Sequence, residues 1–148
     1  MIKQLPLFVS LSLFSLPALM FGQGNRAIDF KAGMPFSQAV VAGNTLYVAG
    51  TEGPAVDGPM KGKLEGVSIE DQTANAIAGI QRTVEKAGFR MADLVSVTVF
   101  IADLDDVSAM NAVYTKLMPN PKPARATVKV AGLIGGAKIE ISAIAVKQ

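Results

Sequence analysis

Arg125 and Glu140 are the two residues of this chain best equipped to do chemistry. Arg125 follows the stiff stretch Pro119-Asn120-Pro121-Lys122-Pro123, and Glu140 sits inside Ile139-Glu140-Ile141. They stand out because of what the other positions lack: the 148 residues include no histidine, cysteine or tryptophan. Such a chain has no imidazole base, no thiolate nucleophile and no nitrogen or sulfur ligand for zinc. Its chemistry is confined to carboxylates, guanidinium and ammonium groups, hydroxyls, backbone groups and water, and neither a metal nor a cofactor is expected. Taken singly, Arg125 reads as a surface ion-pair residue and Glu140 as the solvated member of an alternating strand.

The elements that must position these two residues follow from periodicity and turn chemistry. Ser37 to Ala42 and Thr45 to Ala49 are β-type runs around Gly43-Asn44, a pair suited to a tight hairpin. Gly50 to Gly66 reads as an exposed loop with a short strand near Lys63-Leu64. Ser68-Ile69-Glu70-Asp71 matches a helix capping box, and Ala74, Ile77, Ile80, Val84 and Ala87 give that helix one apolar face. Gly88 is placed to end it. Leu94 to Ala102 is a strand with Val95, Val97, Val99 and Ile101 on one face. A second helix begins near Asp103 or Asp105 and buries Val107, Met110, Val113, Tyr114 and Leu117. The last strands are Ala126 to Val130 and Lys138 to Val146.

The order β-β-α-β-α-β-β predicts an α+β fold, a mixed sheet with two helices packed on one face. The final strand is apolar on both faces through Ile139, Ile141, Ala143, Ile144 and Val146, so the uncovered face calls for another copy of the same chain.

Met1 to Gly24 has the layout of a secretory signal peptide: Lys3, an apolar run from Leu5 to Phe21, then small residues. The expected organisation is a leader at 1–24 and one domain at 25–148, giving an exported, periplasmic or secreted protein with no stable membrane association after processing. Without cysteine there is no disulfide framework. The net charge is +2, and +1 once Lys3 is removed, with basic residues scattered, so a nucleic-acid partner is not expected. The Rossmann glycine pattern is absent, and Gly58 to Lys63 falls one residue short of a phosphate loop.

The C-terminal stretch Pro123-Ala124-Arg125-Ala126-Thr127-Val128, with Ala131, Leu133 and Ile139-Glu140-Ile141, resembles the signature of the Rid (YjgF-like) family of reactive-intermediate imine deaminases. Pro35 to Val40, Leu46 to Gly50, Val99 to Leu104 and Asn111 to Tyr114 extend the similarity along the chain in the same order.

The resemblance implies a chorismate mutase-like homotrimer with a cleft at each subunit interface. It implies that Arg125 holds a substrate carboxylate, for which a two-pronged, permanently charged guanidinium is suited. Glu140 would orient or activate the water that attacks an imine carbon, releasing ammonia and a 2-oxo acid. The implied binding set is Arg125, Phe36, Gly50, Thr51, Asn111, Ala126 and Thr127.

Three positions depart from the family pattern. Phe36 stands where many active members have tyrosine, Thr127 where a cysteine is common, and Thr51-Glu52 where glutamine and an apolar residue are usual. The implied ligand is a small carboxylate-bearing imine, enamine or 2-oxo acid. A non-catalytic ligand-binding or chaperone-like trimer is the alternative, and endoribonuclease or translation inhibition, also attached to this family's name, is the third.

Overall fold

The computed structural model describes residues 24–58 and 61–148. Apart from Gly24, the expected leader lies outside them. Six strands and two helices are present: β1 (Arg26–Ile28), β2 (Ala39–Ala42), β3 (Thr45–Glu52), α1 (Ile69–Lys86), β4 (Leu94–Ile101), α2 (Val107–Leu117), β5 (Ala124–Lys129) and β6 (Ile139–Val146). The architecture is the expected α+β one. β1 is an addition, pairing with β2 from a stretch with no strand signal.

All strands form one sheet in the order β1-β2-β3-β6-β4-β5. The last strand thus enters its middle, antiparallel to β3 and β4, and β5 lies parallel to β4 at the edge. The predicted hairpin forms between β2 and β3. Only Gly43 of its turn pair takes a left-handed backbone, at φ 61°. Asn44 instead exchanges hydrogen bonds with Lys147, tying the hairpin tip to the end of the chain.

The α1 cap is as its sequence requires. Ser68 Oγ accepts from the Asp71 backbone N–H at 3.0 Å, and Gly88 leaves the helix at φ 84°. The expected stripe is buried at Ile77, Ile80, Val84 and Ala87, widened by Thr73 and Ala76, and only Ala74 is half-buried. Gln72, a polar residue of the same helix, is also fully buried. Its amide donates to Leu64 O (3.0 Å) and Val67 O (3.3 Å) and accepts from Lys138 N–H (2.9 Å), so no polar atom of it is stranded.

In α2, Met110 and Tyr114 are buried, but Leu117 is 48% exposed and the next residue, Met118, turns inward as the helix ends. No strand forms at Lys63-Leu64. Backbone bonds between Ala55 and both Gly62 and Lys63 close that loop instead.

Two irregularities in pairing set the sheet's faces. In β4 the register shifts between Leu94 and Ser96, so Leu94 and Val97 both point at the helices and Val95 is exposed rather than inward. In β3 the register shifts between Val48 and Thr51, with three residue steps opposite two on β6. Such an extra residue inverts the inside–outside alternation beyond it. The core consists of Leu46, Val48, Val97, Val99, Ile139 and Ile141 packed under Ile77, Ile80 and Met110. The other face carries Tyr47, Phe100, Glu140, Ser142 and Ile144, with no helix of the described residues over it.

Candidate functional site

Glu140 lies on the open face, between the buried Ile139 and Ile141. Across the ladders it pairs with Glu52 of β3 and Phe100 of β4, and Phe100 in turn with Val128 of β5. The shift in β3 creates the space for its carboxylate. A Cβ on Gly50 would stand 1.8 Å from Glu140 Oε1, so only glycine admits the side chain there. Phe36, Gly50, Thr51, Glu52, Ile134 and Glu140 line one open cavity of about 530 Å³. Ile134 is 85% exposed on a single chain and forms an apolar rim with Phe36.

Thr51 reaches this cavity wall but does not present its side chain to it. Beyond the register shift Thr51 pairs with Ile141, toward the helices. Its hydroxyl donates to Ala49 O at 3.1 Å, and its methyl lies 2.9 Å from where a Cβ on Gly79 would stand.

Arg125 is on the opposite side of the sheet. It is in register with Val97, which faces the helices, and its guanidinium sits 4.5 Å from the ring centroid of Tyr114 on α2. A cation stacked on an aromatic face is held without its N–H fork being consumed, leaving the donors for a carboxylate. Thr127 shares Arg125's face, two residues along β5, whereas Ala126 lies on the open face beside Thr98. Asn111 is half-buried on α2, one turn before Tyr114. The Tyr114 and Thr127 hydroxyls are buried and have no hydrogen-bond partner among the described residues. Burial pushes the Tyr114 hydroxyl above its ordinary range, against the opposing charge of Arg125. Groups like these ordinarily find a partner in water, a ligand or a neighbouring chain.

The expected site residues therefore form two half-sites. Phe36, Gly50, Thr51 and Glu140 line one cavity, whereas Arg125 and Thr127 share the opposite face of the sheet, on the side of the helix that carries Asn111, and Ala126 lies outside both groups. Sequence reasoning missed three contributors. Glu52 was seen only as a departure, and Tyr114 only as a core residue. Gln72 drew no reading at all, yet it holds the backbone two residues ahead of Glu140. The signal for Gln72 was a polar residue flanked by positions of the apolar stripe.

Comparison with known proteins places this geometry in context. The family described as Endoribonuclease L-PSP matches residues 27–147. A RutC family protein of Pyrococcus horikoshii is 40% identical over 114 residues, covering 77% of this chain and 88% of that protein. The chloroplastic Reactive Intermediate Deaminase A of Arabidopsis thaliana is 38% identical over 75% of this chain and 58% of its own length. A 2-iminobutanoate/2-iminopropanoate deaminase of Dermatophagoides farinae is 38% identical over 76% and 85%. Among solved structures, RidA from an Antarctic Psychrobacter superposes with a TM-score of 0.69 at 34% identity, covering 82% of this chain and 94% of that one.

Proposed function

The chain belongs to the Endoribonuclease L-PSP family, and on that premise we propose that it is a hydrolytic deaminase of 2-aminoacrylate-like enamine and imine intermediates, releasing ammonia and a 2-oxo acid. The observation that carries the reading is the pair of half-sites on opposite faces of one sheet. A fork-shaped cation on one face and a carboxylate in an open cavity on the other are complementary parts. They meet only when one copy's β5 edge lies against another copy's open face. A homotrimer with three such clefts closes this arrangement and covers Tyr47, Ile144 and their neighbours.

In that cleft Arg125 anchors the substrate carboxylate and the backbone beside Gly50 and Thr127 seats the water. Glu140 takes the water's proton as it attacks the imine carbon. An iminium is already a strong electrophile, so one positioned carboxylate base suffices. The nuclease description of the family fits the chain less well, because its net charge is +2 and it has no histidine. Export belongs to the same proposal: protein recovered outside the cytoplasm begins between Gln23 and Arg26, and cytosolic protein with Met1 intact contradicts it.

The test supplies a freshly generated 2-imino acid from an amino-acid oxidase and follows ammonia release. Arg125→Lys weakens binding about 10- to 150-fold, the equivalent of about 1.5–3 kcal/mol for a charge-assisted hydrogen bond. Glu140→Gln leaves affinity for the 2-oxo acid product nearly unchanged and lowers turnover about 10²-fold or more. Equal turnover by Glu140→Gln removes the base from the mechanism. A parent protein that binds the 2-oxo acid and releases no ammonia is a binding module instead, the reading that Phe36, with no hydroxyl in the cavity wall, favours.

A further inference from the structure

The cavity around Glu140 holds a second carboxylate. Because β3 carries one extra residue before Thr51, Glu52 falls on the open face and pairs directly with Glu140. Directly opposed residues of an antiparallel pair hold their Cβ atoms about 4.5–5.5 Å apart. Both side chains line the same cavity, whose other walls include Phe36, Gln38, Gly50 and Ile134. Along the same row β4 and β5 contribute Phe100 and Val128, which are uncharged. On the far side, toward α1, Glu52 borders a second groove with Arg82, Lys86 and Asp29. Lys86 is paired with Asp29, and neither Glu52 nor Glu140 has a salt-bridge partner among the described residues. Among the described residues no cation is bonded to the pair; Arg82 borders the outer groove, and in the proposed trimer a neighbour's Arg125 enters the cleft, where the substrate carboxylate takes up its charge.

We propose that Glu52 is the proton donor of the deamination, sharing one proton with Glu140 so that one carboxylate acts as base while the other acts as acid. The proposal rests on the deaminase reading and divides its two proton transfers between two residues. Glu140 removes a proton from water as the oxygen bonds to the iminium carbon, giving a neutral carbinolamine. Protonated Glu52 then delivers its proton to the amine nitrogen. The C–N bond breaks with its electron pair leaving on ammonia, and the hydroxyl proton returns to Glu52 as the carbonyl forms. Ammonia takes up the proton held by Glu140 and departs as ammonium, restoring both residues. Iminium plus water has become carbonyl plus ammonium, with no other reactant.

Two carboxylates directly opposed in one cavity resist double ionisation. Burial, and then the charge of Glu140, push the Glu52 carboxyl above its ordinary range. A carboxyl raised in the fold binds its proton more tightly there than in the unfolded chain. Stability is thus lost as pH rises from the unfolded value through the folded one. Catalysis and stability oppose each other at this residue.

The experiment compares the parent with Glu52→Gln, a shape-preserving change that cannot donate a carboxyl proton. Ammonia release is measured from pH 5 to 9, and thermal unfolding at pH 4 and pH 8. Expected are a fall in kcat of about 10²-fold with KM within about twofold, and loss of the parent's alkaline decline in kcat. The melting temperature should rise at pH 8 and not at pH 4. An active parent matched by Glu52→Gln in kcat and pH profile overturns the donor role and leaves the deaminase reading intact. Equal melting temperatures of parent and variant at both pH values overturn it too, since the fold would then not hold a shared proton. A parent that releases no ammonia overturns the deaminase reading and the donor role together.

Discussion

At Gly50 and Gly53, two glycines close together in sequence are required for different reasons, and the difference separates function from folding. The Cβ of an alanine at Gly50 would strike the Glu140 carboxylate, the free end of a flexible side chain. The carboxylate can swing aside, so Gly50→Ala is expected to melt within a few degrees of the parent. It would still lose about 10²-fold in turnover, because a displacement of about 1 Å is enough to spoil a reacting geometry. Thermal unfolding and the ammonia assay check the two halves of that statement. At Gly53 the same Cβ would lie 1.8 Å from the backbone oxygen of Gln72, which cannot yield without moving α1. Arg125 and Glu140 were legible as residues because a chain without histidine or cysteine leaves few alternatives and because their flanking motifs are specific. The contribution of Gly50 was legible only as a position. Its cause is a carboxylate 90 residues away, brought close by a local mismatch in strand pairing.

Elements with a local signal formed where their residues predicted. α1 is the clearest case, with its serine cap, its amphipathic face and its glycine exit all encoded within about twenty residues. What could not be read was the result of strands meeting at a distance. The exposure of Val95, the inward turn of Met118 in place of Leu117, and the opposite faces taken by Thr51 and Glu52 all follow from pairing register or from where a helix meets the sheet. The insertion of β6 between β3 and β4 is invisible in chain order for the same reason. Gln72 joins these levels, since one α1 side chain bonds the loop at Leu64 and Val67 and the residue before β6. Gln72→Leu keeps roughly the volume and strands two backbone groups, Val67 O and Lys138 N–H, since Leu64 O also accepts from the Val67 N–H. It is expected to lower unfolding stability by about 2–6 kcal/mol, at about 1–3 kcal/mol for each stranded group. Denaturant titration measures this, and a change below about 0.5 kcal/mol would mean that water replaces the amide.

For the whole molecule, the decisive question is how many copies cooperate. Light scattering on the purified protein is expected to give close to three times the chain mass, and a stable monomer would leave the two half-sites unable to meet. The separation of Arg125 and Glu140 by the thickness of a sheet also has a genetic meaning. In the proposed trimer every cleft takes its arginine from one chain and its glutamate from another, so two differently defective copies carry between them a full set of parts. Co-expressing Arg125→Ala with Glu140→Gln should yield mixed trimers in which about a quarter of the clefts are intact, by random assortment around a threefold ring. Activity no higher than the average of the two separate variants would place the whole site in one chain. On the same proposal each chain serves two clefts, one through each face of its sheet. A double variant would therefore disable its neighbours' sites as well as its own, and be dominant over the normal copy in the same cell.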